Sequence, residues 1–324
     1  MRAWQVHGQG EPVDVLRFEE RDQPEPGPGD LRVRVEAAAI GMPDVFMCRD
    51  TFAFKPPLPF VPGQEVCGVV EAVGEGVDLP VGSRIMGVTS FYLGHGGFAE
   101  ATIVQEATAF RVPDGMSAVD AACFRIGFST GWIGLVRRAA IQAGEVLVVL
   151  GAAGGSGATA VQLGHALGAR VIAVGSGGTK LDLCRSLGAD VVVDRRSEDV
   201  TAAIRTATDG RGADVVYDPV GGELAAQALA AVGQNGRFLA VGFASGSWVD
   251  VDVHDLVWRN LSLVGVFAGG PTRQEQEADH EALLSLWADG KLATFATAHP
   301  FDDLPTAITA VADGSAVGKQ VVEL

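Results

Sequence analysis

Hydrophobic and polar positions follow two different rhythms along the chain. From Leu31 to about Phe110, short apolar runs of strand length are bounded by Gly, Pro and Asp. From Val146 onward, short apolar runs alternate with segments of helix length, which is typical of βαβ units and a parallel sheet. The change of rhythm predicts two unlike domains.

The apolar runs locate the individual elements. The β-rich region contains candidate strands at 31–35, 65–73, 83–88 and 98–104, preceded by a loop at 24–30 that is dense in Pro and Gly. The second region contains candidate strands at 146–150, 170–174, 190–193, 213–217, 236–241 and 262–266. These strands complete a dinucleotide-binding sheet, so it has little room for the later elements, which are helices at 273–289 and 302–313 and a strand at 319–323.

The composition describes a globular chain and limits its partners. Hydrophobic residues make up 48% of the 324 positions, and 24 Lys plus Arg against 40 Asp plus Glu give a net charge of −16. A field of that sign repels polyphosphates, so we expect no nucleic acid partner. Because no apolar run reaches membrane-span length and the amino terminus shows no signal-peptide pattern, we expect a cytoplasmic protein without membrane contact.

The cysteines and histidines do not form a recognisable metal or catalytic motif. The six histidines show no paired spacing, and the cysteines lack the short spacings of a disulfide framework or a metal knuckle. We expect buried, reduced thiols at Cys48, Cys67, Cys123 and Cys184.

A glycine-rich turn marks the candidate cofactor site. The strand at 146–150 runs into the turn 151–157, Gly-Ala-Ala-Gly-Gly-Ser-Gly, and residues 158–167 have helix-forming composition. Without side chains at the glycines, the backbone can approach a pyrophosphate, which then lies at the positive N-terminus of the helix. The pattern predicts a dinucleotide site, with a spacing one residue longer than strict G-x-G-x-x-G.

The residues after the second strand favour NADPH over NADH. An Asp or Glu at this position would hydrogen-bond the ribose 2′-hydroxyl of NAD, whereas residues 175–180 are Gly-Ser-Gly-Gly-Thr-Lys. Small hydroxyl residues and a following lysine suit a 2′-phosphate. Lys180 also fits the alternative of a solvated lysine at a helix start.

Several separated motifs together resemble one family. They lie at 37–44, 56–63, 68–74, 96–100, 127–131, 151–157, 187–190 and 217–222. On these residues the chain resembles the medium-chain dehydrogenase/reductase superfamily, in its zinc-independent, zeta-crystallin-like quinone oxidoreductase branch, over essentially its whole length. The resemblance implies an α/β fold. A GroES-like, β-rich catalytic domain, 1–122 completed by 270–324, accompanies an NADP-binding Rossmann domain, 123–269, with a doubly wound, parallel, six-stranded sheet.

The resemblance also implies which residues contact the cofactor. The glycine turn would contact the pyrophosphate, the residues after the second strand the adenosine phosphate, and Thr130 the nicotinamide. Lys319 matches a basic position that can reach the pyrophosphate, or it is an ordinary solvated lysine. The predicted NADPH-binding residues are Thr130, Ala153, Gly154, Gly155, Ser156, Gly157, Ser176, Lys180, Val220, Phe243, Ala244, Ser245 and Lys319.

Three positions correspond to the ligands of the catalytic zinc in the superfamily's alcohol dehydrogenases. Where those enzymes carry Cys, His and Cys, this chain has Gly41, Gln64 and Ile126, and Glu65 is the one retained candidate ligand. Zinc needs thiolate, imidazole or carboxylate donors, so we expect no metal. Without a Lewis acid, alcohol oxidation is disfavoured, and the predicted small-molecule substrate is a quinone or an α,β-unsaturated carbonyl, which accepts hydride directly.

Two positions depart from the quinone branch. Gly41 stands where that branch usually carries Asn, so a hydrogen bond expected near the nicotinamide is either absent or supplied by another residue. Asp194 stands where related sequences often have Tyr, and its carboxylate opposes a bound phosphate unless Arg195 or Arg196 compensates.

The pattern does not identify the catalytic residues. Tyr92 is a weak candidate for the proton donor, because a phenol is a competent general acid. The alternative is that Tyr92 only packs against neighbouring residues or lies at the surface. Apolar residues that either line an aromatic substrate pocket or simply form core are Met42, Met47, Phe52, Phe54 and Phe91.

The chain is therefore predicted to be an NADPH-dependent quinone oxidoreductase that transfers hydride without metal. An enoyl-thioester reductase would share the cofactor and need a basic site for a carrier arm. A non-catalytic, crystallin-like or sensor protein would bind NADPH without turnover. Superfamily members of this type commonly pair through the last strand of the dinucleotide domain, here the apolar run 261–267, so we expect a homodimer.

Overall fold

The chain folds as two compact units, which the computed structural model describes for residues 1–293 and 295–324. The first unit comprises Met1–Ile126 and Ala296–Leu324, and the second comprises Gly127–Phe295. The second unit is therefore one continuous stretch of chain, whereas the first is assembled from two separate stretches.

The strands are numbered in chain order across both units. They are β1 (Arg2–Val6), β2 (Leu16–Glu20), β3 (Asp30–Ile40), β4 (Glu65–Val73), β5 (Arg84–Val88), β6 (Ala101–Gln105), β7 (Phe110–Arg111), β8 (Val146–Leu150), β9 (Arg170–Gly175), β10 (Val191–Asp194), β11 (Ala213–Asp218), β12 (Val232–Ala240), β13 (Ser262–Gly265), β14 (Ala296–Pro300) and β15 (Lys319–Glu323).

The helices are numbered in the same way, with a π-helical segment, Ile133–Arg138, after the fourth. They are α1 (Pro12–Val15), α2 (Met42–Cys48), α3 (Ala118–Ala122), α4 (Arg125–Trp132), α5 (Gly155–Ala166), α6 (Gly178–Ser186), α7 (Val200–Ala207), α8 (Gly222–Ala230), α9 (Val253–Arg259), α10 (Arg273–Ala288) and α11 (Leu304–Ala312). Among the described residues, no helix is both long enough and apolar enough to cross a membrane.

The second unit is built on a parallel sheet, as predicted. Among the described residues it has six strands in the order β10-β9-β8-β11-β12-β13. Val148, Ile172, Val216 and Phe238 are fully buried in its core. The central strands are continuous apolar runs because a parallel sheet of this type is covered by helices on both faces. The predicted order of strands and helices is thereby confirmed.

Strand β12 begins earlier than the sequence indicated, at Val232 instead of residue 236. Val232 pairs with Ala213, but Arg237 pairs with Val215, so the residues between them bulge out of the ladder. Asn235 in this bulge adopts φ +61°, a left-handed conformation that Asn tolerates. In the sequence, Gly233, Asn235 and Gly236 resemble a turn, whereas in the structure they form the bulge within the first half of β12.

Helix α10 is packed within the second unit, whereas the sequence placed residues 270–324 with the first domain. The Nε of Arg137 donates to both carboxylate oxygens of Asp279, at 2.9 and 2.8 Å, and its Nη1 donates to Glu275 at 3.0 Å. Asp279 is buried, so this charge-assisted contact lies on the covered face of the helix. The returning stretch of the first unit accordingly begins at Ala296, after α10.

The first unit is organised around a mixed sheet. Its strands follow the order β14-β15-β3-β4-β5-β7, and β6 also pairs with β3. The late strand β15 pairs antiparallel with β3, with Val321 opposite Ala39 and Val322 opposite Ala38. All four of these side chains are buried. The C-terminal stretch is therefore an inner part of this sheet, with β14 outside it.

The helix predicted at 302–313 begins at Leu304, and a 3₁₀ turn precedes it. A short 3₁₀ turn, Phe301–Asp303, precedes α11, which carries Pro305 in its first turn. Proline lacks the N–H that a helix interior needs and is tolerated in the first turn, which accounts for the later start. The indole Nε1 of Trp4 donates to the Phe301 carbonyl at 3.1 Å and ties this turn to β1.

Candidate active site

The glycine turn of the second unit presents the N-terminus of α5. Gly151 adopts φ +57° and Gly154 caps the helix, whose first hydrogen bond runs from the Ala158 N–H to the Gly154 carbonyl at 2.8 Å. The N–H groups of residues 155–157 precede this bond, and N–H groups in the first turn have no intrahelical acceptor. They form an anion-binding arrangement to which the helix dipole adds positive potential.

Gly157 lies where no side chain fits. A Cβ on Gly157 would come 2.2 Å from the Gly151 carbonyl oxygen and 2.7 Å from the Cα of Ala152. Both are backbone atoms, which cannot move aside by changing rotamer. The absence of a side chain therefore lets the first turn of α5 pack directly on the end of β8, as a dinucleotide cradle requires.

A hydrogen bond with Tyr217 restrains the hydroxyl of Ser156. Ser156 Oγ and the phenol oxygen of Tyr217 are 2.9 Å apart, in a hydrogen bond that either group can donate. Tyr217 is fully buried on β11, and burial raises the pKa of its phenol, so the ring stays neutral. The glycine turn is thereby held to the neighbouring strand as well as to β8.

Polar groups gather where β9 ends. Ser176 is buried there, and the N–H of Gly177 donates to Asp194 Oδ2 at 3.3 Å. Asp194 Oδ1 also accepts the backbone N–H of Arg196 at 3.0 Å. The Nη1 of Arg196 lies 3.5 Å from the position of a Cβ on Gly177. Through these hydrogen bonds Asp194 stabilises the loop after β9, and the nearby Arg196 guanidinium adds positive charge beside Gly177.

The loop after β11 contacts both the glycine turn and the loop after β12. Asp218 is buried and accepts hydrogen bonds from the N–H groups of Val220 and Gly221, both at 2.8 Å. The Ser245 N–H donates to the Val220 carbonyl at 2.8 Å, and Val220 Cγ2 lies 2.9 Å from the position of a Cβ on Gly151. The three loops thus meet at the carboxyl ends of neighbouring parallel strands, where ligands of such sheets bind.

The remaining predicted residues of the second unit flank these loops. The Ala244 N–H donates to the Pro219 carbonyl at 3.2 Å, and the Phe243 ring lies tilted on Trp248 with centroids 4.9 Å apart. Thr130 lies on α4, which packs against α5: the Thr159 Oγ1 donates to the Gly127 carbonyl at 3.1 Å.

Lys180 and Lys319 lie on different units. Lys180 is in the first turn of α6, directly after the β9 loop, as the sequence indicated. Lys319 opens β15 of the first unit, and its Nζ lies 3.7 Å from Glu65 Oε2. The structure therefore groups Lys319 with acidic side chains of the first unit.

Two buried carboxylates accompany Lys319 in the first unit. Burial raises the pKa of Asp44 to about 6, against the opposing effects of the Gly41 N–H at 2.8 Å, the Lys319 ammonium and the Gly63 N–H at 2.9 Å. Burial likewise raises the pKa of Glu65, which the ammonium of Lys319 and the Ile126 N–H, at 2.7 Å, oppose. The cluster places two costly buried acids near the Lys319 ammonium, and Arg125 adds a second positive charge beside Glu65.

The three positions compared with catalytic zinc ligands all lie in the first unit. They carry Gly41, Gln64 and Ile126, none of which offers a thiolate, imidazole or carboxylate. In residues 1–293 and 295–324, no group of three or more His, Cys, Asp or Glu side chains is arranged to hold a metal ion. The donor set at these positions does not fit tetrahedral zinc.

The weak candidate Tyr92 lies on the 3₁₀ turn Phe91–Leu93 of the first unit and is 41% exposed. Its ring meets the Phe91 ring edge-on, with centroids 5.7 Å apart, and the centroids of the Phe91 and Phe52 rings are 6.4 Å apart. Phe52 and Phe91 are packed partly against the core, and Met47 is buried within it. These contacts show a packed aromatic row and assign no proton-transfer role to Tyr92.

Sequence reasoning missed the supporting residues. Tyr217 and Asp218 belong to the motif 217–222, but the sequence does not predict their hydrogen bonds to Ser156 and to the loop 220–221. Asp194, which the sequence indicates only as an opponent of a bound phosphate, accepts the N–H of Gly177 after β9 and the N–H of Arg196 after β10. A polar residue at the end of an apolar strand was the available signal.

Sequence matches that include residues of both units identify the family of this chain. The family models described as "Alcohol dehydrogenase GroES-like domain" and "Zinc-binding dehydrogenase" match residues 27–114 and 155–285. "Quinone oxidoreductase-like protein 2 homolog" of Nematostella vectensis is 31% identical over 270 residues, covering 82% of this chain and 73% of the relative. The chain belongs to the medium-chain dehydrogenase/reductase superfamily, in its quinone oxidoreductase branch.

Two further matches extend over nearly the whole chain. The crystal structure of Escherichia coli quinone oxidoreductase complexed with NADPH has a TM-score of 0.91, 25% identity and full coverage of both chains. Part of "Mycocerosic acid synthase-like polyketide synthase" of Mycolicibacterium smegmatis is 30% identical over 98% of this chain, which is 15% of that protein. The mixed and parallel sheets are thus the GroES-like and Rossmann folds of the superfamily, and the predicted fold class is confirmed.

Replacing Gly157 by Ala is expected to disrupt the glycine turn. The added methyl would overlap the Gly151 carbonyl, so we expect the free energy of unfolding to fall by about 2 kcal/mol. Binding of a nicotinamide cofactor should weaken at least about tenfold, because displaced N–H groups lose a charge-assisted hydrogen bond. Urea unfolding and NADPH fluorescence titration measure both effects. Gly270→Ala is the control, since its Cβ would have normal contacts, and equal effects in both variants would contradict the prediction.

The buried carboxyl of Asp44 predicts a pH-dependent stability. Its pKa of about 6 in the folded protein exceeds the ordinary value of 3.8, so the folded state binds the proton more tightly. The associated stabilisation is present at low pH and is lost as the pH rises through about 6, amounting to about 3 kcal/mol. Urea unfolding of the wild type and of Asp44→Asn at pH 4, 5, 6 and 7 should show the wild type losing stability relative to the variant. A constant difference would refute this.

Proposed function

We propose that the chain is a zinc-independent, NADPH-dependent quinone oxidoreductase that transfers a hydride to a quinone or an α,β-unsaturated carbonyl. The observation that carries the proposal is the glycine turn, whose missing side chains leave the N–H groups of residues 155–157 open at the end of β8. This arrangement fits the pyrophosphate of a dinucleotide.

The proposed cofactor contacts follow the loops of the second unit. Ala153, Gly154 and residues 155–157 would hold the pyrophosphate, and Thr130, Val220 and residues 243–245 the nicotinamide half. NADPH supplies the hydride when it is bound. The residues of the chain orient it, and Tyr217 restrains the turn through the Ser156 hydroxyl.

Preference for NADPH is proposed to depend on the loop after β9. Ser176, Lys180 and Arg196 supply a hydroxyl and two cations for a 2′-phosphate. Asp194, the last residue of β10, accepts the N–H of Gly177 in this loop and the N–H of Arg196 after β10, which offsets part of its negative charge. Arg196, whose Nη1 lies beside Gly177, supplies the compensation that a carboxylate at position 194 requires.

Hydride transfer without zinc limits the acceptor. With Gly41, Gln64 and Ile126 at the zinc-ligand positions, these side chains offer no Lewis-acid site for stabilising an alkoxide. A quinone or enone delocalises the incoming electron pair onto its oxygen and needs orientation and a hydrogen bond. The buried, free cysteines of the described chain suit the proposed cytoplasmic location, where thiols stay reduced.

The decisive experiment follows loss of NADPH or NADH absorbance with 1,4-benzoquinone, 9,10-phenanthrenequinone and a simple enone, using chelator-treated protein. We expect NADPH-selective turnover that survives chelation. Turnover that disappears on chelation and returns with zinc would overturn the metal-free proposal. Tight NADPH binding without turnover of any acceptor would favour the non-catalytic sensor.

An enoyl-thioester reductase is the second candidate. The match to part of a polyketide synthase over 98% of this chain is the observation that favours it. Both candidates use the same cofactor loops, so the acceptor separates them. A kcat/KM for crotonyl-coenzyme A above that for every quinone tested would select the thioester reductase.

Arg196→Ala is expected to reduce NADPH affinity while sparing NADH affinity. Removing the guanidinium beside Gly177 should raise the Kd of NADPH about tenfold, the effect of one charge-assisted hydrogen bond. Fluorescence titrations with both cofactors measure this change. The exposed Arg211 provides the control Arg211→Ala. Equal losses for NADPH and NADH would show that Arg196 does not recognise the 2′-phosphate.

We also propose a homodimer formed through β13. This strand ends the parallel sheet, and beside it α9 exposes Val257 and Trp258, at 72% and 77%. Phe267, just after the strand, is 67% exposed. Large exposed apolar side chains next to an unpaired strand edge suit pairing with a second copy.

Light scattering tests the proposed dimer. We expect twice the chain mass for the wild type and a shift toward the single-chain mass for Trp258→Glu, which places a charge in the apolar contact. Val13→Glu, on an exposed apolar residue of the first unit, is the control. A wild type with the single-chain mass at all concentrations would exclude this dimer.

A further inference from the structure

The phenol of Tyr217 has one acceptor for its proton within the second unit. Tyr217 lies on β11 and is fully buried, so water does not reach its hydroxyl. In residues 1–293 and 295–324, its phenol oxygen has a single hydrogen-bond partner, Ser156 Oγ, at 2.9 Å. A buried O–H without an acceptor is destabilising. The phenol is therefore the donor of this hydrogen bond, and the serine oxygen is the acceptor.

The π-helical segment Ile133–Arg138 restricts the ring that carries this phenol. A Cβ on Gly134 would lie 3.2 Å from Cε2 and 3.6 Å from Cδ2 of Tyr217, so the backbone of the segment lies close against the ring. Burial raises the pKa of the phenol, which therefore stays protonated. The hydroxyl thus keeps both its proton and its position beside Ser156.

The Ser156 hydroxyl retains a proton of its own to donate. A serine hydroxyl has one proton and two acceptor lone pairs, and here one lone pair accepts the phenol proton. Ser156 is half-buried in the first turn of α5, among the N–H groups that precede the first helical hydrogen bond. The turn therefore presents N–H and O–H donors together. Such a set suits a group that only accepts hydrogen bonds, as phosphate oxygens do.

We propose that Tyr217 is a positioning residue, whose phenol donates to Ser156 Oγ and thereby directs the serine O–H to an oxygen of the bound pyrophosphate. This inference rests on the proposed binding of NADPH at the glycine turn. A donor that is already oriented loses less freedom when the ligand binds, so more of its hydrogen-bond energy contributes to affinity. Without the phenol, the serine hydroxyl would rotate freely, and the ligand would have to restrict it.

A double-mutant cycle of Tyr217→Phe, Ser156→Ala and the two combined tests this role. Phe keeps the ring beside Gly134 and removes only the hydroxyl. The Kd of NADPH is measured by its fluorescence. The Kd of 2′-AMP, which carries adenosine and the 2′-phosphate but no pyrophosphate, is measured by competition with NADPH. Ser186→Ala, which removes an exposed hydroxyl from α6, is the control, and urea unfolding checks that every variant is folded.

For Ser156→Ala we expect the Kd of NADPH to rise about tenfold, as for loss of one hydrogen bond to a charged group. Tyr217→Phe should raise it about fivefold, because the serine hydroxyl remains but is no longer oriented. When Ser156 is already Ala, the phenol has no hydroxyl to orient, so Tyr217→Phe should change the Kd less than about twofold. The Kd of 2′-AMP should change less than about twofold in every variant, because its own contacts stay intact. Ser186→Ala should match the wild type with both ligands.

Three outcomes overturn the inference while leaving the cofactor site in place. An unchanged Kd of NADPH in Tyr217→Phe would show that the serine needs no orienting partner. Equal effects of Tyr217→Phe with and without the Ser156 hydroxyl would assign the phenol to the general stability of the turn. A loss of 2′-AMP affinity as large as the loss of NADPH affinity would locate the effect away from the pyrophosphate.

Failure of the proposed function gives a different result. A wild type that binds NADPH and reduces no acceptor contradicts the proposed reductase, while the titrations still test Tyr217. A wild type that binds no NADPH overturns the cofactor site and this inference together.

Discussion

The approach of two backbone segments, at Gly157 and Gly151, is the constraint on which the nucleotide-binding unit depends. A side chain at position 157 would need space that the Gly151 carbonyl already fills. Because no side chain occupies this space, α5 can begin immediately beyond the carboxyl end of β8, where the N–H groups of its first turn precede the first helical hydrogen bond. The contacts of Tyr217 with Ser156 and of Val220 with Gly151 extend this arrangement to the adjacent strand.

Two sets of acidic side chains in this chain are neutralised in different ways. In the second unit, Asp194 and Asp218 accept backbone N–H groups, so their carboxylates organise loops instead of forming ion pairs. In the first unit, Asp44 and Glu65 are buried around Lys319, and their charge is offset by an ammonium. The first arrangement fixes loops near the glycine turn, and the second places an ammonium beside buried carboxylates.

The fold and the glycine turn could be predicted because local patterns determine them. The strands β8 to β13 contain apolar runs, and each is located by the sequence to within a few residues. The early start of β12 was missed because its bulge uses Asn235, which in a sequence looks like a turn. The packing of α10 was missed because it depends on Arg137 reaching Asp279 across more than a hundred residues. Likewise, only the folded sheet brings Lys319 to Glu65, so periodicity could not reveal that pair.

The inner position of β15 has a consequence for synthesis on the ribosome. The partner strand β3 is made early, but the edge that β15 covers stays open until the last residues of the described chain emerge. The second unit is continuous and can complete its own sheet in the meantime. Until β15 has been made, the nascent first unit exposes backbone groups of Ala38 and Ala39, and such an open edge invites pairing with other chains.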